Sequence, residues 1–394
     1  MNSSQPLILA SLFGPSLAVQ AQIPPQRYDY SYQLYQEDSQ RIRVESNYLR
    51  GKIDLDDATS FRVQWLSDAI SGSSPTGALP TGPQNPTQPY LSDVEDLRTG
   101  LLGALSRQFG DHRLELEISR SQENDYLSHG YALSDTWQLN QKNTTISYGF
   151  NYLNDLVTVP VLGERDKHGY DLFAGVSQIL DKNTVVAANL TIGYNQGYLN
   201  DPYKVVQRNE IESIPDGLGG TIEIPVVNIY RENRPDQRFR QVLQLEAKHD
   251  FVAADGVLDG ILRLGHDDFG VFSQTVQLEW RQSIGSRFQV VPFFRYYRQN
   301  AAEFFANTLN GLPIANPAED PSGSGQNYSA DYRLSSLDTV SGGLRLRCQF
   351  NDHFSATAAY ERYVMSGSGN SADRSPDPSY PNASIWTFGI CAEF

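Results

Sequence analysis

A chain of 394 residues with net charge −15, in which 46 Asp and Glu face 31 Lys and Arg, has no basic footprint, and this excludes general nucleic-acid binding. Its 22 Tyr and 18 Phe stand against only 2 Met, an aromatic excess that suits strands and membrane-interface girdles. No apolar run approaches the roughly 18 residues a membrane helix needs, which excludes helical spans but not a barrel, whose alternating strands average to moderate polarity.

Residues 1–21 read as an export signal, with Leu7 to Phe13 as the apolar core and Val19-Gln20-Ala21 as the cleavage region, although no Lys or Arg precedes the core. Residues 22–394 read as one all-β domain, a closed antiparallel transmembrane β-barrel of about sixteen strands. Strands are predicted near 27–37, 40–50, 58–68, 97–109, 112–123, 127–140, 143–153, 168–180, 183–197, 238–251, 256–267, 270–284, 287–300, 332–350, 353–366 and 383–394. In the first, Tyr28, Tyr30, Tyr32 and Leu34 alternate with polar residues; in the second, Ile42, Val44 and Tyr48 oppose Arg43 and Glu45. Leu114, Leu116 and Ile118 oppose Arg113, Glu115 and Glu117, and Val276, Leu278 and Trp280 oppose Gln277, Glu279 and Arg281. Asp135 falls on the apolar face beside Leu133 and Trp137, where a charge in mid-bilayer would be costly, so a bulge or an interfacial site is expected there. The last strand sets Trp386, Phe388, Ile390, Ala392 and Phe394 on one face up to the terminal carboxylate. A strand of this kind closes a barrel against lipid, and its terminal aromatic is what the bacterial barrel-assembly machinery engages.

The connections sort by side. Tight links of Gly, Asn and Asp (Gly110-Asp111-His112, Gln141-Lys142-Asn143, Asp181-Lys182-Asn183, Gly285-Ser286, Asn351-Asp352-His353) alternate with every long link, near 69–96, 154–167, 198–237, 301–331 and 367–382. Short turns in the periplasm and long loops outside are the outer-membrane pattern, and Trp65 and Trp386 fall near the outer rim, Trp137 and Trp280 near the inner one. A soluble sandwich or propeller would need neither strands of 10–14 residues nor loops sorted by side.

Six stretches at the long-loop ends carry a family likeness: 68–78, 197–204, 232–238, 297–302, 328–335 and Tyr360-Glu361-Arg362-Tyr363. They resemble an uncharacterised family of bacterial outer-membrane barrels, and the likeness spans most of the mature chain. It implies export, a barrel in the outer membrane of a Gram-negative bacterium, and a neighbourhood of periplasmic redox and flavin-attachment proteins, hence a periplasmic redox partner by association. It carries no activity and no catalytic residue.

At those same strand ends, Asp68, Asp201, Tyr203, Lys204, Arg234, Arg238, Arg298, Asp331, Arg333, Glu361 and Arg362 are candidates for binding or gating at the external mouth. The competing explanation is a salt-bridged set of loops folded into the barrel. Arg43, Arg62, Glu117, Glu246, Arg263, Glu279, Arg281, Arg295, Arg345 and Arg347 are the candidates to line the lumen, where mixed charges either border water or pair across it.

No phosphate loop, nucleophile elbow, His-Glu-x-x-His or Cys-x-x-Cys occurs, so no catalytic residue, metal or cofactor is expected. His266-Asp267-Asp268 reads as an ordinary polar turn, and Asp93, Glu95 and Asp96 as a solvated loop. Cys348 and Cys391 are expected to stay free, because their strands are two spacings apart, about 9–10 Å, and their side chains point to opposite faces. The leading function is passage of a small solute or ion; the second is a structural or docking barrel for an envelope redox partner; an enzyme comes third.

Overall fold

The computed structural model describes residues 25–79, 89–314, 317 and 320–394; the expected export signal lies outside them. Eighteen strands run in chain order: β1 (Gln26–Glu37), β2 (Arg43–Asp54), β3 (Thr59–Pro75), β4 (Leu91–Phe109), β5 (His112–Gln122), β6 (Tyr126–Leu139), β7 (Thr144–Val159), β8 (Gly163–Asp181), β9 (Thr184–Gly197), β10 (Val205–Pro215), β11 (Thr221–Arg231), β12 (Gln237–Phe251), β13 (Gly256–Asp267), β14 (Phe272–Ile284), β15 (Phe288–Gln299), β16 (Leu337–Gln349), β17 (Phe354–Gly367) and β18 (Asn382–Glu393). Sixteen close into an antiparallel barrel, each beside its sequence neighbour except that β9 pairs with β12 and β1 with β18. β10 and β11 form a separate two-stranded sheet inside the 198–236 link.

Closure rests on the last strand. Tyr28, Tyr30, Tyr32 and Leu34 stand opposite Ala392, Ile390, Phe388 and Trp386, so two outward apolar rows meet at the seam and no strand edge is left for lipid to meet. Phe394 stacks on His353 (5.6 Å) and meets Phe354 edge-on (5.8 Å), which pins the terminus to the β16–β17 turn. The outer wall is apolar: Leu101, Leu116, Leu133 and Phe388 are each at least half exposed, as a lipid-facing band demands. Trp137 stacks on His112 beside a short turn, and Trp65 and Trp386 stand nearer the long loops, all facing outward.

Asp135 sits in an unbroken register between β5 and β7. The expected bulge is absent; the charge is met by the Tyr148 hydroxyl (2.7 Å) and by His112 Nδ1 (2.7 Å) just past the periplasmic turn. Cys348 and Cys391 are free, on strands separated by β17.

Two links differ from expectation. The 154–167 segment is no loop: β7 and β8 continue through it and leave only residues 160–162 as a turn. The 198–236 link contains the β10–β11 arm, paired from Val205↔Arg231 to Pro215↔Thr221. Its signal was partial: Ile222, Ile224 and Val226 alternate after Asp216-Gly217, but the stretch before it does not alternate, and Pro215, Pro225 and the glycine run mask the hairpin.

The buried apolar clusters lie at the long-loop end. Val206, Leu309, Tyr328 and Ala330 form one, Phe269, Val271, Ala302 and Leu334 a second, and Val157, Val159 and Tyr198 a third. Backbone bridges Gln207↔Thr308 and Asn233↔Tyr328 stitch the 198–236 link to the 300–336 link, and Phe305↔Ser329 folds the latter on itself. Val205 N–H donates to Thr76 O (2.9 Å) and Ser336 N–H to Asp373 O (2.7 Å), joining the other two long links. Gly77, at φ +104°, permits this approach: a Cβ there would stand 2.6 Å from Val205 O. The long loops thus fold together as a cap.

Candidate functional site

The cap is built around a buried ionic network. Asp331 (1% exposed) accepts from Arg234 Nη2 (2.7 Å) and Arg333 Nε (2.8 Å), and its second oxygen caps the Arg333 N–H (3.0 Å). Arg234 Nε also pairs with Glu232 (2.8 Å), and Arg333 reaches back to Asp201. Glu232, wholly buried, accepts from the Asp201 N–H (2.5 Å) and the Ser329 hydroxyl (2.5 Å). Lys204, 4% exposed, donates to Ser74 Oγ (3.2 Å) and to the Pro75 carbonyl, with its ammonium over the Tyr332 ring (5.7 Å). Glu232, Asp331, Arg234 and Lys204 form the buried part of the network, and Arg333 and Asp201 carry it to the surface, an arrangement in which each buried charge needs its partners.

Burial would raise the Asp331 carboxyl, but Arg333 and Arg234 outweigh it and hold it well below the usual range. Glu232 goes the other way. Burial first, and Asp331 beside it, push its carboxyl up to about 7 against the pull of Arg234. An unfolded glutamate gives up its proton near 4.5. Between that value and about 7 the folded cap therefore binds a proton that the unfolded chain has lost, so cap stability falls as pH rises through this window. Asp331 contributes stability above its ordinary value of 3.8 and loses it only in stronger acid, so it does not reverse that slope. Amide exchange corrected for intrinsic rates will show residues 228–236 and 326–334 less protected at pH 8 than at pH 5, and Glu232→Gln will flatten the difference.

The remaining mouth residues divide. Asp68, 2% exposed on β3, is held by Arg98 of β4, a partner absent from the sequence-derived set because only the register puts the two opposite. Tyr203 donates to Asp125 (2.5 Å), whose carboxylate groups with Asp96 and Glu123 within 4.8 Å. Asp93 and Glu95 alternate with Asp96 along β4 and fall on its other face. Arg238 Nε donates to Asp267 (2.9 Å), and its guanidinium lies 4.6 Å from the Phe269 ring centroid. Asp267, the last residue of β13, also accepts from the Phe269 and Val271 N–H groups of the turn that follows, so that carboxylate is fully engaged. Arg298 and Arg362 are not part of the inner mouth. They share the outward face of Phe294 and Val364 and pair there with Asp338 (3.7 Å) and Asp38 (2.5 Å). Glu361 faces inward without a partner among the described residues.

On the inner wall, Arg62 bridges Glu115 (2.9 Å) and Glu117 (3.0 Å). A belt runs over five strands, from Glu246–Lys248 (2.6 Å) through Asp259 and Arg281 (3.2 Å) to Glu279 (2.6 Å) and Arg345 (3.6 Å). Arg263 and Arg347 reach glutamines (2.7 and 3.5 Å). Arg43, expected in the lumen, lies on the outward face. The register sets Leu49 opposite Trp65 on that face, so Asn47, Glu45 and Arg43 continue it, and Arg43 pairs with Glu45 (2.8 Å). The alternation in β2 misleads because its outer end rises past the tryptophan level, where an outward charge meets headgroups and water. Spaces remain inside: about 400 Å³ beside Asp171, Asn189 and Arg240, and about 1100 Å³ at the periplasmic end by Lys52, Asp54 and Arg113.

A family profile described as protein of unknown function (DUF3570) matches residues 7–165 and 159–376. A search of curated protein sequences finds no match. Among solved structures, a bacterial polysaccharide outer membrane secretin superposes with TM-score 0.50 at 10% identity, over 94% of this chain and 98% of that one. The siderophore receptor PirA from Pseudomonas aeruginosa superposes with TM-score 0.44 at 14% identity over 93% of this chain, which spans 62% of the receptor, less than two thirds of its length. The CymD monoaromatic hydrocarbon channel gives 0.42 at 10% identity, over 94% and 89% of the two chains. The fold is that of a Gram-negative outer-membrane barrel, and the lipid bilayer is its surroundings.

Proposed function

The chain belongs to the DUF3570 family, and from that premise we propose that it is a gated conduit for small polar solutes or ions across the outer membrane. One observation carries this reading: pairs along the wall, Arg240–Asp171 and Lys52–Asp54, border open space in the lumen, whereas the buried apolar clusters lie in the loop cap. Paired charges on opposite walls would have filled the bore; pairs along one wall leave it wet. The cap supplies the gate, and its ionic network is the latch.

Planar-bilayer recording tests this. The purified barrel will give stepwise openings. Glu279→Gln, which leaves Arg281 and Arg345 without their shared anion, will shift the reversal potential toward anions, and Arg281→Gln will shift it toward cations. Each change will also lower stability, because the Glu279 and Asp259 side chains that Arg281 bridges are buried. Silence at all voltages, persisting after deletion of residues 303–328, would favour the second reading, a docking barrel for an envelope redox partner.

A further inference from the structure

Beneath the cap, against the inner wall of β1 and β15 to β18, lies a cavity of about 580 Å³. Four tyrosines line it: Tyr35, Tyr297 and Tyr363 from the wall, and Tyr332 from the cap. It also receives four charged side chains, and these differ in one respect. Glu37 is held by Arg41 (3.2 Å) and the Tyr35 hydroxyl (3.0 Å), and Arg333 by Asp331 and Asp201. Arg295 and Glu361 make no ion pair and no side-chain hydrogen bond with any described residue. In a wall where most charges are paired, one free cation and one free anion open into the same space.

Why they do not pair follows from register. Arg295 stands opposite Ser341 of β16, and Glu361 opposite Gly343. The two strands are separated by β16, about 10 Å laterally, and the residues are offset by two positions along it, so their Cα atoms are roughly 12 Å apart. The side chain at 341 is small, and the Phe293 ring lies over Gly343, beside Glu361.

We propose that this cavity binds small zwitterions, amino acids or short peptides, with the carboxylate on Arg295 and the ammonium on Glu361. A guanidinium donates two parallel hydrogen bonds to a carboxylate, and an ammonium is stabilised by a carboxylate and by aromatic rings. A molecule with both charges satisfies both free groups; one with a single charge leaves the other group unpartnered in a partly desolvated cavity. The volume lies within the range of small-molecule sites. The proposal rests on the reading of the barrel as a solute conduit and gives that conduit its cargo.

Titration calorimetry of the detergent-solubilised full chain will test it, with dialanine, N-acetyl-dialanine, dialanine amide and glucose as probes. Dialanine will bind, and each singly blocked peptide will bind roughly tenfold or more weakly, the loss of one charge-assisted contact. Arg295→Gln will weaken dialanine to the level of its amide, and Glu361→Gln to the level of the acetyl form. Heat-modifiable migration in gels will check that each variant is folded, and Lys182→Gln, in the short turn between β8 and β9, will bind dialanine as the parent does. No dialanine binding by the parent chain, equal binding of all four probes, or preference for glucose overturns the assignment. Ion conductance without dialanine binding would end this proposal and leave the conduit standing; dialanine binding by a barrel that never conducts would do the reverse.

Discussion

Asp331→Asn will unlatch the outer mouth. The side chain is wholly buried between the guanidiniums of Arg234 and Arg333. Asparagine keeps its shape and removes its charge, leaving the buried Arg234 and the half-exposed Arg333 with one anion fewer. Loss of the charge-assisted contact to the buried Arg234 costs about 1.5–3 kcal/mol, because Arg234 keeps Glu232 and Arg333 keeps Asp201. Spent on the cap alone, that shifts its closed-to-open ratio by roughly one to two orders of magnitude, at 1.4 kcal/mol per order. The barrel wall is held by sixteen strand pairings that the substitution does not touch, so gel migration of the folded form will not change. Bilayer openings will become frequent at voltages where the parent is quiet, and a protease added from the loop side will cut within 300–336. A variant as quiet and as resistant as the parent would mean that the network is not the latch.

The second large effect separates the two faces of one strand. Leu116, half exposed in mid-β5, stands opposite Leu105 and Leu133 on the outer wall. Leu116→Arg puts a guanidinium into hydrocarbon and will lower folding stability by about 2–4 kcal/mol. Its neighbour Glu117 faces the lumen and shares Arg62 with Glu115, so Glu117→Gln will change stability by less than about 1 kcal/mol. Urea titration of folding into lipid vesicles reads both. Equal losses, or a larger loss at 117, would invert the assignment of inside and outside.

Such opposite outcomes at adjacent residues are legible in the sequence because a strand alternates with period two and a lipid face admits no charge. The rule holds where the outward face lies in hydrocarbon, as for Leu114, Leu116 and Ile118. It lapses above that level. Arg43, Arg298 and Arg362 sit on the outward face near the outer rim, where water and headgroups tolerate a charge, so polarity no longer reports direction there. Asp135 shows the same limit at the inner rim: Tyr148 and His112 meet it across two strand pairings, and composition alone does not reveal pairing.

The mouth was legible in part. Asp201, Lys204, Arg234, Asp331 and Arg333 do converge, and strand-end chemistry singled them out. Glu232 and Arg98 were missed, one because it lies mid-segment with no periodic context, the other because its partner is set by register.

By itself the chain determined a sixteen-stranded closed wall, its seam at Phe394 and its loops sorted to one side, since these follow from local alternation, turn chemistry and strand length. Only the tertiary structure decided that the long loops fold into a cap, that Asp331 lies between two arginines, and that Arg295 and Glu361 remain without partners. Those outcomes depend on contacts between segments up to a hundred residues and more apart, which no local period records.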